Sequence, residues 1–357
     1  MIQEYSLLGF PFSPREIRTI AFDFADENGL KGFSDTKGSA GPHWFAAFLK
    51  RWPQLKVKSG VTNISLSRAI ASKKETVDDW FDRYENVLDQ LNITDPKYIW
   101  NIDEHGSEDI PKVKNVVGLK GIKQLQTVSK EKPRRSTMLT YVNGAGYALP
   151  PMVIHRGKFH DSWRKDAPRN VMVRSSKKGY INKKLFAEYG KKLLIHLHAN
   201  GQLDKPNLIL MDSHYSHVFN YGYMEMMYSR NVKVMSFEPH SSHWGQPLDK
   251  NPFSAFKCEF NNQIRKFNRS VGGRSLRKDE FFSVFNVAWE RAMTKQNILA
   301  GFKRTGIWPV DRGAIPDYTY EVSKICKCQV CQKLTDSVYI FITVFQVSVL
   351  FNCCDEN

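Results

Sequence analysis

The chain has 357 residues, and Lys plus Arg outnumber Asp plus Glu 52 to 36, a formal charge of +16 spread along its length instead of held in one tail. That length exceeds one minimal core and fits two, and 13% aromatic residues with eight Trp favour a packed globular protein over a ribosomal or membrane-surface one. The charge balance favours a polyanionic partner, nucleic acid foremost. Six cysteines, a lone Cys258 and a late group of Cys326, Cys328, Cys331, Cys353 and Cys354, make no disulfide framework and point to a reducing compartment, cytosol or nucleus. The first residues have neither a basic n-region nor an apolar h-region, so no secretory signal is expected.

In chain order, helical signals come first. Ser13, Pro14, Arg15 and Glu16 form a capping box with Pro at the first helical position; Ile17, Ile20, Ala21, Phe24 and Ala25 follow on one face, and Gly29 stops the helix. Gly41 and Pro42 open a second helix with Trp44, Phe45, Phe48, Leu49 and Trp52 as its apolar stripe and Pro53 as its stop. A short third is expected over 65–71. A second capping box at Ser72 and Glu75 leads into Val77, Trp80, Phe81, Tyr84, Val87, Leu88 and Leu91. The region reads as an all-helical bundle ending near Asn92.

After Asp95 and Pro96 the pattern changes to short apolar runs alternating with helices. Residues 98–102 form a plausible buried strand with Asp103 and Glu104 at its carboxyl end. Residues 138–142 and 147–154 flank Asn143, Gly144, Ala145 and Gly146 as a hairpin. A helix over 182–196, a buried strand over 207–211 ending at Asp212, another strand over 232–237, and a helix marked by Phe253, Phe256, Phe260, Ile264 and Phe267 just after Asp249 complete a mixed α/β domain. Residues 338–351 are almost wholly apolar and β-branched yet shorter than the ~20 residues that span a bilayer as a helix. They read as a buried strand, an aggregation-prone tail or the product of an altered reading frame, ahead of a membrane anchor.

Three aspartates thus stand at comparable places, Asp103 and Asp212 at strand ends and Asp249 at a helix entrance. In an α/β sheet the carboxyl ends of neighbouring strands converge on one crevice, so acids far apart in sequence can meet there. Crowded carboxylates take up protons unless cations neutralise them, and oxygen donors select hard ions such as Mg²⁺ or Mn²⁺. Two such ions about 4 Å apart can activate a water or a 3′-hydroxyl on one side of a phosphodiester and stabilise the leaving oxygen on the other. A single strand-end Asp is most often a solvated turn residue; the surrounding motifs are what distinguish these three.

The run Tyr98, Ile99, Trp100, Asn101, Ile102, Asp103, Glu104, His105, Gly106 resembles the first-aspartate motif of the DDE superfamily endonuclease domain of pogo, Tigger and jerky-like transposases and centromere protein B. Leu210, Met211, Asp212, His214 and His217 resemble the second motif. Pro239, His240, His243, Gln246, Pro247, Leu248 and Asp249, with Phe253 and Lys257, resemble the third, and Gly301 through Pro309 the segment that closes the domain. The resemblance covers 97–312 and implies an RNase H-like fold, catalytic and metal-holding roles for Asp103, Asp212 and Asp249, and two Mg²⁺ or Mn²⁺ ions. Glu104, His214, His217, His243 and Gln246 would support the acids, the metals' waters or the DNA backbone.

Residues 33–91 are similar to the second helix-turn-helix of the CENP-B-type DNA-binding region, in which one helix enters the major groove while basic side chains hold phosphates. Lys50, Arg51, Lys56, Lys58, Arg68, Lys73 and Lys74 suit phosphate contacts, and Lys130, Arg134 and Arg135 suit a DNA contact or nuclear-import patch. Such charges are individually more often solvated surface. Family members carry a further helix-turn-helix before Ser13, for which this chain has no room, so 1–92 is expected to be an N-terminally truncated DNA-binding module, 97–312 the endonuclease and 313–357 an atypical Cys-containing apolar tail.

The expected function is that of a transposase-derived nuclear protein that binds double-stranded DNA, cuts it with metal ions and directs attack of the freed 3′-hydroxyl on a target phosphodiester, as a homodimer and without a membrane anchor. The competing reading is a DNA-binding relic or domesticated chromatin protein that keeps the fold and no longer cuts. A zinc hydrolase built on His214, His217, His240 and His243 is a weaker third, since those residues already sit inside the motifs. Cys326, Cys328 and Cys331 lack a well-spaced fourth thiolate for zinc.

Overall fold

The computed structural model describes residues 2–7, 11–30, 32–33, 37–58, 65–109, 135–212, 220–321 and 323. They fall into two compact units, one of residues 1–74 and 316–357 and one of residues 75–315. In the first unit the helices are α1 (Ile2–Leu7), α2 (Pro14–Glu27), α3 (Pro42–Arg51) and α4 (Leu66–Ile70), together with a one-turn helix late in the chain, Tyr318–Glu321. The predicted capping box opens α2: Glu16 N donates to Ser13 Oγ at 3.3 Å and Ser13 N to Glu16 Oε2 at 2.6 Å. Arg18 Nε donates to Ala40 O at 2.5 Å, tying α2 to the entry of α3, where Trp44 meets Phe33 edge-on and stacks on Phe48.

The sheet unit begins with α5 (Lys74–Gln90). Its apolar stripe predicts a last helix for the N-terminal bundle up to Asn92, but Val77, Trp80, Phe81, Tyr84 and Leu88 are buried within the second unit. Trp80 stacks on Tyr84 and Phe237, its Nε1 donates to Ser236 O at 3.1 Å, and Tyr84 Oη donates to Ile307 O at 3.1 Å. Helical periodicity reports a buried face without reporting what covers it.

Six strands follow: β1 (Ile99–Glu108), β2 (Arg135–Asn143), β3 (Met152–Arg156), β4 (Met172–Ser176), β5 (Asn207–Met211) and β6 (Val232–Ser236), in the order β4-β3-β2-β1-β5-β6. β1–β2 and β2–β3 are antiparallel; β3–β4, β1–β5 and β5–β6 are parallel. The hairpin turn forms where expected, with Gly146 N donating to Asn143 O, but the returning strand is only a bridge at Ala148 before β3 starts at Met152, instead of one run over 147–154. β4 and the second half of β1 go beyond the expected strands. The β1 extension runs through Glu104, His105 and Gly106, polar residues that show no apolar run and are strand only because β2 pairs with them as far as Arg135.

α6 (Lys183–Ala199) and α7 (Tyr221–Tyr228) cover one face of the sheet. There Trp100, Ile102, Leu139, Tyr141, Ile154, Ile209 and Met211 pack with Phe186, Tyr189, Leu193 and Tyr223 in one buried cluster. The short helices α8 (Ser242–Gly245) and α9 (Pro247–Lys250), then α10 (Pro252–Ser270), α11 (Phe281–Ala292) and α12 (Lys295–Arg304), complete the unit. No helix among the described residues is long and apolar enough to cross a membrane.

Candidate active site

Alternation along β1 separates its side chains into two sets. Trp100 and Ile102 enter the apolar cluster, while Asn101, Asp103 and His105 stand on the other face. Asp103 lies mid-strand and not at the strand end, because β1 continues with β2; its parallel partner β5 is what stops. The β1–β5 pairing runs from Ile99 opposite Leu208 to Asn101 opposite Leu210, so the same register carried on two residues brings Asp103 level with Asp212, just past the end of β5. Both acids therefore leave the sheet on one side.

The third acid comes from the turn after β6. Asp249 sits exposed in α9, and Asp103 and Asp212 are partly buried. A closed set of amide bonds positions that turn. Asn101 Nδ2 donates to Leu210 O at 3.1 Å and to Gln246 Oε1 at 2.9 Å, its Oδ1 accepts from Leu248 N at 3.1 Å, and Gln246 Nε2 donates to Ile102 O at 3.3 Å. Both amides are fully buried, so these bonds are made away from competing water and fix β1, β5 and α9 to one another. Gln246 is expected near the acids from its motif. Asn101 is not: it lies inside the apolar-looking run 98–102, and nothing local shows that its partners arrive from residues 210, 246 and 248.

α12 backs the same turn. Gly301 faces Pro247, and a Cβ there would lie 2.5 Å from the Pro247 carbonyl oxygen, so only glycine allows the close approach. Lys250, half-buried beside Asp249, has its ammonium held below the ordinary lysine range by burial, partly offset by the Asp249 charge. No local signal marks this lysine in the sequence.

Electrostatics link Asp249 and Asp212 to Asp103. Burial raises the Asp103 carboxyl well above the usual carboxylate range, and the charges of Asp249 and then Asp212 raise it further. Bonds from the Glu104 backbone and the Gln246 side chain act in the opposite direction and do not prevail. Two acids from other segments thus act on Asp103 through space. Among the described residues, no three carboxylate, imidazole or thiolate side chains are disposed to hold a metal ion as they stand. The donor chemistry fits hard dications all the same: all three groups are carboxylates, and their mutual repulsion is what a positive charge between them relieves.

Glu104 alternates onto the opposite face, in register with Leu139. His105 lies against Phe253 and Phe256, and burial, then Lys257 and Arg135, hold its imidazole down to about 4. His243 Nδ1 lies 3.1 Å from His240 O, and His240 has a left-handed backbone, φ 65°. Lys50, Arg51, Lys56, Lys58, Arg68 and Lys74 are exposed and Lys73 is half-buried; Arg135 in the second unit is exposed. His214, His217, Lys130, Arg134, Cys326, Cys328, Cys331 and the 338–351 run lie outside the described residues.

Residues 132–302 match the model of the DDE superfamily endonuclease. The match takes in Asp212 and Asp249 and begins after Asp103. The chain is also 27% identical over 176 residues to the MFS-type transporter clz9 of Cochliobolus lunatus, 49% of this chain and 19% of that protein, so it spans about a fifth of that relative's length. Among solved structures, the Mos1 strand transfer complex aligns with 89% of this chain and 80% of that one, at a TM-score of 0.50 and 14% identity. The Mos1 mariner paired end complex with Mn aligns at a TM-score of 0.43 and 12% identity, over 78% of this chain and 72% of that one. The mixed sheet with its flanking helices has the RNase H-like fold of transposase catalytic domains.

Proposed function

We propose that the chain is a transposase-derived DNA endonuclease and strand transferase whose catalytic acids are Asp103, Asp212 and Asp249. The geometry that supports this reading is the β1–β5 register, which brings Asp103 level with Asp212, together with the Asn101–Gln246 amide pair that ties the Asp249 turn to β1. The match of 132–302 to the DDE superfamily endonuclease supports the same chemistry.

Asp103, Asp212 and Asp249 would hold Mg²⁺ or Mn²⁺, two ions by the resemblance. Bound there, such ions lower the pKa of an attacking water or 3′-hydroxyl and neutralise charge on the leaving oxygen. The chain's own contribution is placement. β1 is anchored by Trp100 and Ile102 and cannot slide, so the Asp103 carboxylate keeps its level with Asp212. The Asn101–Gln246 amide pair holds the Asp249 turn against both strands. Lys250 sets a positive charge beside Asp249. The exposed cations of α3, α4 and the segments around them suit phosphate contacts of a helix-turn-helix, which would bring double-stranded DNA to the site. A homodimer and a nuclear location follow from the same reading.

The test is Mg²⁺- or Mn²⁺-dependent cleavage of supercoiled and terminal-repeat DNA by the native chain and by Asp103→Ala, Asp212→Ala and Asp249→Ala. The expected result is metal-dependent cutting that falls by about 10³-fold or more in each variant, while DNA binding persists. Binding without cutting by the native chain would leave a DNA-binding protein that retains the fold alone.

A further inference from the structure

The acids occupy one side of the sheet unit, but most of the chain's positive surplus lies elsewhere. Between His155 and Lys192 there are twelve Lys and Arg against three Asp and Glu, a surplus of nine out of a total of sixteen. This segment forms the β3–β4 edge of the sheet and the start of α6. Two of its cations serve the fold: Arg174 pairs with Glu188, and Lys192 donates to the Pro150 and Asn170 carbonyls. Lys177 and Lys178, in the loop after β4, are exposed.

That loop is fixed in place. Thr137 Oγ1 donates to Gly179 O at 2.8 Å, Ser176 Oγ donates to Tyr180 O at 2.7 Å, and Gly179 takes φ 79° with Arg156 close behind it. Tyr180 leaves 47% of its surface in solvent, its hydroxyl accepts from Arg135 Nη1 at 3.2 Å, and the guanidinium lies 5.6 Å from its ring centre. Arg135 in turn lines a groove of about 160 Å³ with His105, Glu108, Lys257 and Asn261, two cations to one acid, on the stretch of β1 that continues from Asp103. Gly106 opens this groove, because a Cβ there would meet Arg135 Nε at 2.9 Å. Arg135 starts from the sheet face opposite Asp103 and reaches this groove past Gly106, so the surface passes from Lys257 to Arg135, Tyr180, Lys177 and Lys178 in succession.

We propose that this succession is a DNA track: the duplex next to the cut bond runs from the acids over Lys257 and Arg135 to Lys177 and Lys178 at the β4 edge, beside the Tyr180 ring. The inference rests on the nuclease reading for its direction, and on charge and geometry for its existence. DNA carries one negative charge per about 1.7 Å of duplex axis, so a line of cations collects several phosphates, whereas a compact cluster would suit one small anion. An exposed aromatic ring held against a guanidinium offers a flat apolar surface beside the charges, suited to a sugar or an unstacked base at a strand end.

The test uses the full chain and a DNA duplex of about 30 base pairs without divalent ions, measuring affinity from roughly 50 to 300 mM salt. The Arg135→Gln, Lys177→Gln, Lys178→Gln triple variant is compared with Lys205→Gln, Arg230→Gln, Lys233→Gln, three exposed cations by the opposite sheet edge. The expected result is a salt slope shallower by roughly 2 to 3 in the first variant, with affinity about tenfold or more weaker at about 0.15 M salt, and a native slope in the second. Equal losses in both variants, no loss in the first, or equal affinity of the track for duplex RNA would overturn the proposal. Because no metal is present, a track that fails in a chain that still cuts is distinguishable from a chain that does not cut.

Discussion

On one face of β1, Trp100 and Ile102 are sealed into a cluster of aliphatic and aromatic side chains; on the other, Asn101 and Asp103 meet amides, acids and partly buried ionisable groups. The two sets alternate within four consecutive residues, yet their physics is opposed. The apolar face gains from burial. The acid face loses by it, since burial there penalises charge: it pushes Asp103 up and holds His155, on the same face of β3, down to about 4. Like charges can be kept together on one side of a strand only when the other side fixes that strand rigidly.

Trp100→Ala is the largest expected break in this arrangement. Removing a fully buried indole from the apolar face should cost about 3–5 kcal/mol in urea unfolding, and a loss below about 1 kcal/mol would show that this face does not anchor the strand. The second is a pH effect. The folded-state pKa of His155, about 4, lies below the ~6.5 of an unfolded chain, so between those values the unfolded chain binds more protons and stability rises with pH. Acidification from about pH 7 to 4 should therefore remove up to about 3 kcal/mol through His155. His155→Gln, uncharged throughout, should flatten that part of the profile; urea melts at each pH check it.

Asn101→Ala would leave Gln246 and the Leu248 amide short of a partner at a buried position, at a cost of about 2–3 kcal/mol. Cleavage should fall with it while affinity for DNA stays close to native; Asn101→Ala that melts and cuts like the native chain would dispose of the amide pair's positioning role. The smallest effect has the opposite sign. A carboxyl whose pKa is raised in the fold stabilises below its unfolded value and loses that contribution as pH rises through the folded value. Asp103→Asn should then raise metal-free stability near pH 7 by about 1 kcal/mol, a figure kept small because the group is only partly buried.

The sequence is most legible where local pattern and tertiary environment agree. The run 207–211 is β5 to the residue, since a strand buried on both faces between two parallel neighbours shows as an unbroken apolar stretch. The three acids stand out by their motifs, and in the fold Asp249 and Asp212 both raise the Asp103 carboxyl. Glu104 through Glu108 are strand by virtue of β2 alone, and β4, a half-buried edge strand reading MVRSS, gives almost no periodic signal. α5 finds neighbours other than those its pattern suggests for a related reason: its stripe specifies burial and leaves open whether helices or a sheet supply the cover. The Lys177–Lys178 loop carries no signal of its own because surface lysines are common, and only the link from Arg135 through Tyr180 connects it to the acids.

The most direct measurement on the central claim is Mn²⁺ binding, counted by electron paramagnetic resonance near neutral pH without DNA, in the native chain and in Asp103→Asn, Asp212→Asn and Asp249→Asn. If the three carboxylates form one site, the native chain binds Mn²⁺ and each single change weakens that binding about tenfold or more, whichever acid is lost. Native-like Mn²⁺ binding in a chain lacking all three acids would contradict the account.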